Sequence, residues 1–303
     1  MIIKPRQEPR DLKVYRSLDN RMILTKDEKN TYFTLEKGYQ GEVMFDEFIE
    51  ENLKAKMLLL NDLLFKSGNT TFQVDSLMMS DGINYLIDVK NFEGEYYFHD
   101  GKMYVVGSNK EIQNPFDQLK RANIMLRNLL QKLGIFTPII PYLVFINPEC
   151  TLFQLPLNQP VILPTQLNSF IRKLNSTPSF LNQKHIQSAE KVINLQTNET
   201  PYSNFPSYSY SQLKKGTTCS NCHSFFRSVV GRKFICKACG FEEIVESVIL
   251  RMVEEYKLLF PEEKVTTNRI YDWCKVIESK RRISRTLEKN YKITGAHQWA
   301  YYE

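Results

Sequence analysis

Two closely spaced cysteine pairs place the tightest constraint on how this chain can fold. Cys219 and Cys222 form the first Cys-x2-Cys pair and Cys236 and Cys239 form the second, with thirteen residues between the pairs. Four thiolates at this spacing present the tetrahedral sulfur set that Zn²⁺ prefers and leave no position open for a substrate. We therefore predict a structural zinc ribbon with Zn²⁺ as its cofactor. A pair of disulfides, the alternative, suits a secreted chain better.

The residues around the cysteine pairs fit a small folded module. His223 is not predicted to bind the metal, because four sulfurs complete the coordination. Cys150 and Cys274 have no cysteine partner at metal-binding spacing and are predicted to be ordinary buried thiols. Three phenylalanines are predicted to form the ribbon interior: Phe225, Phe226 and Phe234.

The basic residues of the chain are unevenly distributed. The net charge at pH 7 is +6, and residues 206–240 alone carry six basic residues and no acidic one. A local positive field of this kind suits a polyanion, although a basic surface that only keeps a small module soluble is an alternative. The six residues are Lys214, Lys215, Arg227, Arg232, Lys233 and Lys237.

No segment of the sequence predicts a membrane anchor or a secretion signal. A helix needs roughly eighteen consecutive apolar residues to cross a bilayer, and the sequence has no such run. The N-terminal stretch MIIKPRQEPRDLKVYR is charged where a secretion signal would be apolar. We therefore predict a cytoplasmic protein that does not bind membranes.

The order of predicted elements is that of an α/β unit with a mixed sheet. A helix in GYQGEVMFDEFIEENLKAK would place Glu42 in its first turn. Turn residues separate three apolar runs, MLLLNDLLFK, TFQVDSLMMS and INYLIDVKN, and so predict antiparallel strands. GEYYF and KMYVV predict a hairpin with Asp100 and Gly101 at its turn. A helix that opens at Asn114 and Pro115, and a buried strand in TPIIPYLVFINP, complete the unit.

Composition divides the chain into six predicted segments. The run QTNETPYSNFPSYSYSQ is rich in Ser, Pro and Tyr and marks the main linker. The segments are an N-terminal extension (1–37), the α/β unit (38–150), a helical appendage (151–195), the linker (196–214), the zinc ribbon (215–241) and a small helical domain (242–303).

Asp88 and Lys90 end a strand that is otherwise apolar. Alternate side chains of a strand share a face, so these two project together while Ile87 and Val89 face the core. Asp75 is a lone acid in the preceding strand, and two such acids repel each other unless a cation lies between them. Mg²⁺ fits, because it takes one or two carboxylates together with water and substrate oxygens. The alternative is a surface pair of Asp88 with Lys90 and a hydrogen-bonded core acid at Asp75.

The α/β unit also carries motifs of a known family. GYQGEVMFDEFI, FQVDSLMMSDGINYLIDVKNFEGEYYF and NPFDQLKR resemble the nuclease-related domain (NERD) family, a branch of the PD-(D/E)XK nuclease superfamily. The resemblance covers Gly38 to about Cys150. It implies a restriction-endonuclease-like mixed sheet flanked by helices. Carried over by position, the catalytic residues are Glu42, Asp75, Asp88, Lys90 and Gln118.

The resemblance also implies a role for each of these residues. Asp75 and Asp88 would bind catalytic Mg²⁺ or Mn²⁺, Lys90 would assist the attacking water, and Glu42 and Gln118 would support them. Two positions depart from the pattern: Val74 stands where the superfamily name places Pro, and Asp88 stands where this branch usually has Glu.

The segment after the cysteines predicts three helices and a terminal hairpin in YKITGAHQWAYYE. This order resembles a winged helix-turn-helix, whose third helix enters the DNA major groove. A helical cap with a merely solvated basic face is the alternative. Bacterial members of the family often combine a nuclease-like domain, a zinc ribbon and a helical tail in this order. The residues predicted to contact DNA are Lys280, Arg281, Arg282, Arg285 and Lys289.

These observations predict a bacterial, Mg²⁺-dependent deoxyribonuclease that the zinc ribbon and winged helix deliver to DNA, with no small-molecule cofactor. The alternative is a DNA-binding or regulatory protein whose nuclease-like domain no longer cuts, and Asp88 in place of Glu favours it. RNA is the weaker substrate prediction, because the sequence shows no base-stacking platform.

Overall fold

The computed structural model describes residues 1–68, 70–197, 205–295 and 300–303. Two units divide the chain. The first combines Met1–Glu8 with Phe33–Ser203, and the second combines Pro9–Tyr32 with Asn204–Glu303. Part of the predicted N-terminal extension thus belongs to the unit that contains the cysteine pairs. The predicted linker lies in part outside the described residues.

The bounds of the elements follow in chain order. The strands are β1 (Ile2–Lys4), β2 (Leu58–Ser67), β3 (Thr70–Met79), β4 (Asn84–Lys90), β5 (Gly94–His99), β6 (Lys102–Val105), β7 (Glu111–Ile112), β8 (Ile139–Phe145), β9 (Cys150–Phe153), β10 (Val161–Ile162), β11 (Val229–Val230), β12 (Lys233–Ile235), β13 (Glu242–Ile244), β14 (Ile293–Thr294) and β15 (Tyr301–Tyr302). The helices are α1 (Arg10–Arg21), α2 (Lys26–Asn52), α3 (Pro115–Lys132), α4 (Leu167–Asn175), α5 (Gln183–Asn194), α6 (Val245–Leu259), α7 (Thr267–Cys274) and α8 (Lys280–Asn290).

The first unit is built on a mixed sheet in the order β1-β2-β3-β4-β8-β10. β2, β3 and β4 pair antiparallel, as the turn signals between their sequences predict. β4 and β8 pair parallel, with α3 in the connection between them. The predicted α/β fold with a mixed sheet and flanking helices is therefore confirmed.

A second, smaller sheet of the first unit has the order β7-β6-β5-β9. The hairpin of β5 and β6 turns at Asp100 and Gly101, with φ values of 47° and 75°. Two consecutive positive φ angles match the right-handed twist of the flanking strands, and Asp-Gly is a preferred pair for such turns. The predicted hairpin is confirmed.

Helix α2 begins much earlier than the sequence pattern predicts. A capping box opens it: the N–H of Glu28 donates to Thr25 Oγ1 at 3.3 Å, and the N–H of Thr25 donates to Glu28 Oε2 at 2.7 Å. Glu42 consequently lies in the middle of α2, so its predicted first-turn position is wrong. Further along the helix, Phe45 and Ile49 are buried against the sheet.

Helix α3 covers the opposite face of the sheet. Asn114 caps it by accepting a hydrogen bond from the N–H of Phe116 at 3.0 Å, and Pro115 occupies the first turn, where its missing N–H costs nothing. Leu119, Leu126 and Leu130 of α3 are buried in the same core layer as β2 and β3. The sheet is thus covered on both faces, by α2 and by α3.

The second unit contains the three helices predicted after the cysteines, α6, α7 and α8, together with α1. Trp273, Ile283 and Leu287 are fully buried in it. β14 pairs antiparallel with β15, as the predicted terminal hairpin requires, and residues 296–299 between these strands lie outside the described residues. Where the structure describes the chain, each helix is too short or too polar to cross a membrane.

Candidate active site and cysteine centre

The candidate active site lies where β3 and β4 separate. The pairing of these strands ends at Ser76 with Ile87, whereas β4 continues beside β8 as far as Lys90. Beyond that point the N–H of Val89 donates to the side chain of Asp75, at 2.9 Å from Oδ2, and not to a backbone carbonyl of β3. A carboxylate of β3 therefore lies against the end of β4.

Asp75 also stands at an irregularity in the pairing of β2 with β3. The ladder pairs the residues on both sides but skips Asp62 and Asp75, and Asp62 has a positive φ of 52°. Val74 and Leu77 face the same core layer. They are three positions apart, whereas in a regular strand residues share a face only when they are an even number of positions apart. The alternation of β3 therefore changes phase at Asp75, and such irregularities re-aim side chains next to functional sites.

Lys90 connects β4 to α3. Its Nζ lies 2.7 Å from Asp88 Oδ1 and donates a hydrogen bond to Gln118 Oε1 at 3.2 Å. Ile87 and Val89 are buried in the core layer on the other face, with Phe45 and Ile49. Asp88 and Lys90 thus share a face, and Lys90 contacts both Asp88 and the predicted Gln118.

The charges at this point of the sheet interact strongly. Burial, followed by the nearby charge of Asp75, raises the pKa of Asp88 to about 7, against the opposing effect of Lys90. Burial alone would lower the pKa of Lys90, but the carboxylates of Asp88 and Asp75 outweigh it and the pKa is raised. A cation bound beside these carboxyl groups would favour their ionised form and so lower the pKa of Asp88.

Glu42 reaches the same cluster from α2 but is held by an arginine. Arg6 Nη1 donates to Glu42 Oε2 at 2.5 Å, and Arg6 Nε donates to Asp46 Oδ2 at 2.8 Å. Burial and the charge of Asp75 raise the pKa of Glu42 to about 8, although Arg6 acts in the opposite direction. Glu42 is therefore electrostatically coupled to Asp75 while hydrogen-bonded to Arg6.

A glycine allows α2 to approach the end of β4. A Cβ atom on Gly41 would lie 2.4 Å from Asn91 Cβ, which is closer than two carbon atoms can pack. Asn91 follows Lys90 and donates to the carbonyl of Lys37 at 2.8 Å. The small residue beside Glu42 thus sets the distance between helix and strand.

Asp75 and Asp88 are the residues here that could hold a divalent cation. Asp88 is 7 % exposed, and its Oδ1 accepts no hydrogen bond of normal geometry from the described residues, the Lys90 contact being an ion pair. Glu42, Asp75 and Asp88 do not bring three oxygens within 4.8 Å of one another in the described chain. Two carboxylates completed by water and substrate oxygens are what Mg²⁺ takes.

The four predicted cysteines come together in the second unit, and their sulfur atoms all lie within 4.8 Å of one another. Cys219 Sγ lies 3.8 Å from Cys239 Sγ, and Cys222 Sγ lies 3.5 Å from Cys236 Sγ. A tetrahedral zinc ion with Zn–S bonds of about 2.3 Å separates its sulfurs by about 3.8 Å. The donor set and its spacing therefore fit zinc.

The two cysteine turns repeat the same backbone geometry. The N–H of Cys219 donates to the carbonyl five residues later, and the N–H of Cys236 does the same. The residue four positions after each of these cysteines has a positive φ, 59° at His223 and 75° at Gly240. Phe226 and Phe234, whose ring centroids are 4.7 Å apart, are buried as predicted, whereas Phe225 is only partly buried.

The predicted DNA-contacting residues do not share one environment. Lys280, Arg281, Arg285 and Lys289 are exposed on α8. Arg282 is partly buried, and its Nη1 donates to the carbonyl of Gly231, between β11 and β12, at 3.0 Å. It therefore ties the helix to the ribbon.

Sequence reasoning missed Arg6 and Asp46, two residues that lie beside Glu42. Asp46 follows Glu42 by one helical turn, and this i, i+4 spacing is a usable signal. Arg6 carries no local signal, because its partners lie 36 and 40 residues away in the chain.

The first unit is an α/β domain that brings a lysine and several carboxylates together where β3 and β4 separate. Residues 37–146 match the family model described as nuclease-related domain. The predicted resemblance is thereby confirmed, over roughly a third of the chain. Searches among curated proteins and among solved structures each gave no match.

Proposed function

We propose that this protein is a metal-dependent nuclease that hydrolyses DNA phosphodiester bonds. The observation that carries the proposal is Lys90, whose ammonium lies between Asp88 Oδ1 at 2.7 Å and Gln118 Oε1 at 3.2 Å. Residues 37–146 resemble a nuclease-related domain, which supports nucleic acid as the substrate.

Asp75 and Asp88 would hold Mg²⁺ or Mn²⁺ in this proposal. When bound, the ion supplies Lewis-acid stabilisation of charge on a phosphoryl oxygen. Other residues of the chain would position the phosphate and the attacking water. Lys90, fixed by Asp88 and Gln118, provides a positive charge and a hydrogen-bond donor for a phosphate oxygen or for the attacking water. Glu42, held by Arg6, supports the site from α2 without needing to be a ligand.

Loss of Lys90 or Asp88 is expected to reduce DNA cleavage. Lys90→Met removes the ammonium and Asp88→Asn removes a carboxylate charge, so each should slow cleavage of plasmid DNA in Mg²⁺ by about 10²- to 10³-fold. Lys102→Met is the matched control, because Lys102 is an exposed lysine of the same unit that pairs with Glu111 on the surface. Equal cleavage by wild type and both site variants would mean that a contaminant cuts the DNA.

A DNA-binding or regulatory protein without cleavage activity is the second candidate. Asp88 in place of the Glu of related nucleases favours it, because the shorter side chain changes the reach toward a metal. Titration with Mn²⁺ separates the candidates: binding that Asp88→Asn abolishes supports the nuclease, and no binding at millimolar Mn²⁺ supports the binding protein.

The zinc ribbon and α8 would deliver the nuclease to DNA. Zinc bound by the four cysteines would be structural, because four sulfurs complete its coordination. A cytoplasmic site of action in a bacterium is part of the same proposal, and the six free cysteines suit such a reducing compartment.

Neutralising the exposed face of α8 is expected to weaken DNA binding and its salt dependence together. Replacing Lys280, Arg281, Arg285 and Lys289 by Gln should lower the slope of log affinity against log salt by about 0.9 for each phosphate that is no longer neutralised. Lys13→Gln, at an exposed position of α1, is the control for general charge loss. An unchanged slope in the fourfold variant, measured by fluorescence anisotropy over a salt series, would exclude α8 from the interface.

A further inference from the structure

Arg6 lies inside the acidic cluster, with its side chain only 4 % exposed. Its guanidinium engages both oxygens of Asp46, at 2.8 and 3.0 Å, and Glu42 Oε2 at 2.5 Å. A fourth hydrogen bond runs from Nη2 to the backbone carbonyl of Asp75 at 2.9 Å. One cation thus contacts two acids of α2 and the strand residue that carries a predicted metal ligand.

The charges of the cluster leave room for one divalent cation. Its carboxyl groups belong to Glu42, Asp46, Asp75 and Asp88, and its cations are Arg6 and Lys90. A bound divalent cation favours the ionised carboxylates, and with all four ionised two negative charges remain. The next acid, Asp62, has its own cation, Lys4, at 3.9 Å. A single Mg²⁺ or Mn²⁺ would neutralise the cluster, and a second would overcharge it.

The hydrogen bonds of Arg6 also occupy carboxylate oxygens that could otherwise bind a metal ion. Both oxygens of Asp46 and one oxygen of Glu42 point at the guanidinium. Two-metal sites of phosphodiesterases need bridging and flanking carboxylates around two ions about 3.5–4 Å apart. On the α2 side of Asp75, the place of such a second ion is taken by Arg6.

We propose that Arg6 is a built-in counter-ion that stands in for a second divalent cation and restricts the candidate site to one. The inference rests on the proposed function for the identity of the first metal position. It differs from a purely structural role for Arg6, which would affect stability but not the number of ions bound.

Counting bound Mn²⁺ tests the inference without any cleavage assay. The zinc-loaded full chain is titrated with Mn²⁺, and free Mn²⁺ is measured by electron paramagnetic resonance. We expect one Mn²⁺ per wild-type chain, lost in Asp88→Asn, and two per chain in Arg6→Met. The second ion should disappear again in the double variant Arg6→Met with Glu42→Gln. Arg127→Met, an equal charge loss at an exposed position of α3, should leave the count at one.

Each outcome decides between the proposals. One Mn²⁺ in folded Arg6→Met, or two in wild type, would overturn the counter-ion role while leaving the nuclease proposal intact. No Mn²⁺ in wild type but one in Arg6→Met would support the counter-ion role and contradict the proposed metal-dependent nuclease. No Mn²⁺ in either protein would overturn both.

A second variant serves if Arg6→Met does not fold. Arg6→Gln removes the same positive charge but keeps an amide that can donate to Asp46, and it should also bind two Mn²⁺ per chain. One Mn²⁺ in folded Arg6→Gln would overturn the counter-ion role.

Discussion

Removal of zinc from the four-cysteine centre is expected to unfold the ribbon. Its strands β11, β12 and β13 contain only two or three residues each, too few to be stable alone. The apolar interior is small, with Phe226 and Phe234 as its buried aromatic residues. Zinc binding contributes about 10–16 kcal/mol to the folding of comparable zinc-finger peptides, so we expect the ribbon to depend on the metal.

Limited proteolysis measures this effect locally. The exposed basic residues Arg232, Lys233 and Lys237 are trypsin sites inside the ribbon. Chelation should raise the cleavage rate there by at least 10²-fold, and Cys236→Ser should do the same without chelator. Cys150→Ser, at a buried thiol of the first unit, is the matched control and should leave these sites protected. Unchanged cleavage after metal analysis has shown zinc loss would contradict the prediction.

Local sequence signals predicted most of the elements that carry the site. The strand pattern around Asp88 and Lys90 is readable because side-chain alternation and the flanking turns are properties of adjacent residues. The cysteine spacing is readable for the same reason. The beginning of α2 was missed although its signal is also local, the Thr25 and Glu28 capping box.

The relations between distant segments could not be read from the sequence. Nothing near Arg6 indicates that it meets Glu42 and Asp46, because tertiary packing alone brings them together. The phase change at Asp75 is likewise invisible, since it depends on the pairing of β3 with β2.

The assignment of residues 9–32 to the second unit also depends on contacts between segments that are distant in the sequence. It affects how DNA targeting can be tested. Leu12, Val14, Tyr15 and Leu18 of α1 are buried. The ring of Tyr15 lies 6.0 Å from that of Phe205, in the same unit. A truncation after residue 196 would remove the partners of this helix. Point substitutions on α8 are therefore the sounder test of DNA targeting.

Arg21, at the end of α1, is a buried arginine of the second unit whose loss should destabilise that unit. It is 2 % exposed, and its guanidinium donates to both oxygens of Glu255, at 3.0 and 2.6 Å. It also donates to the carbonyls of Lys214 at 2.7 Å and Gly216 at 3.0 Å. Its Cζ lies 3.9 Å from the centroid of the Trp273 ring.

Arg21→Met should lower the free energy of unfolding of the second unit by about 3–5 kcal/mol, measured by urea denaturation. Methionine fills much of the space but leaves the Glu255 carboxylate and two carbonyls without their donor, and an unpaired buried charge is more costly than the removal of both partners. The double variant Arg21→Met with Glu255→Met should therefore recover part of the loss. Arg10→Met, at an exposed arginine of the same helix, should cost less than about 1 kcal/mol. If Arg21→Met were no more costly than Arg10→Met, the Arg21 contacts would not be what holds α1 in this unit.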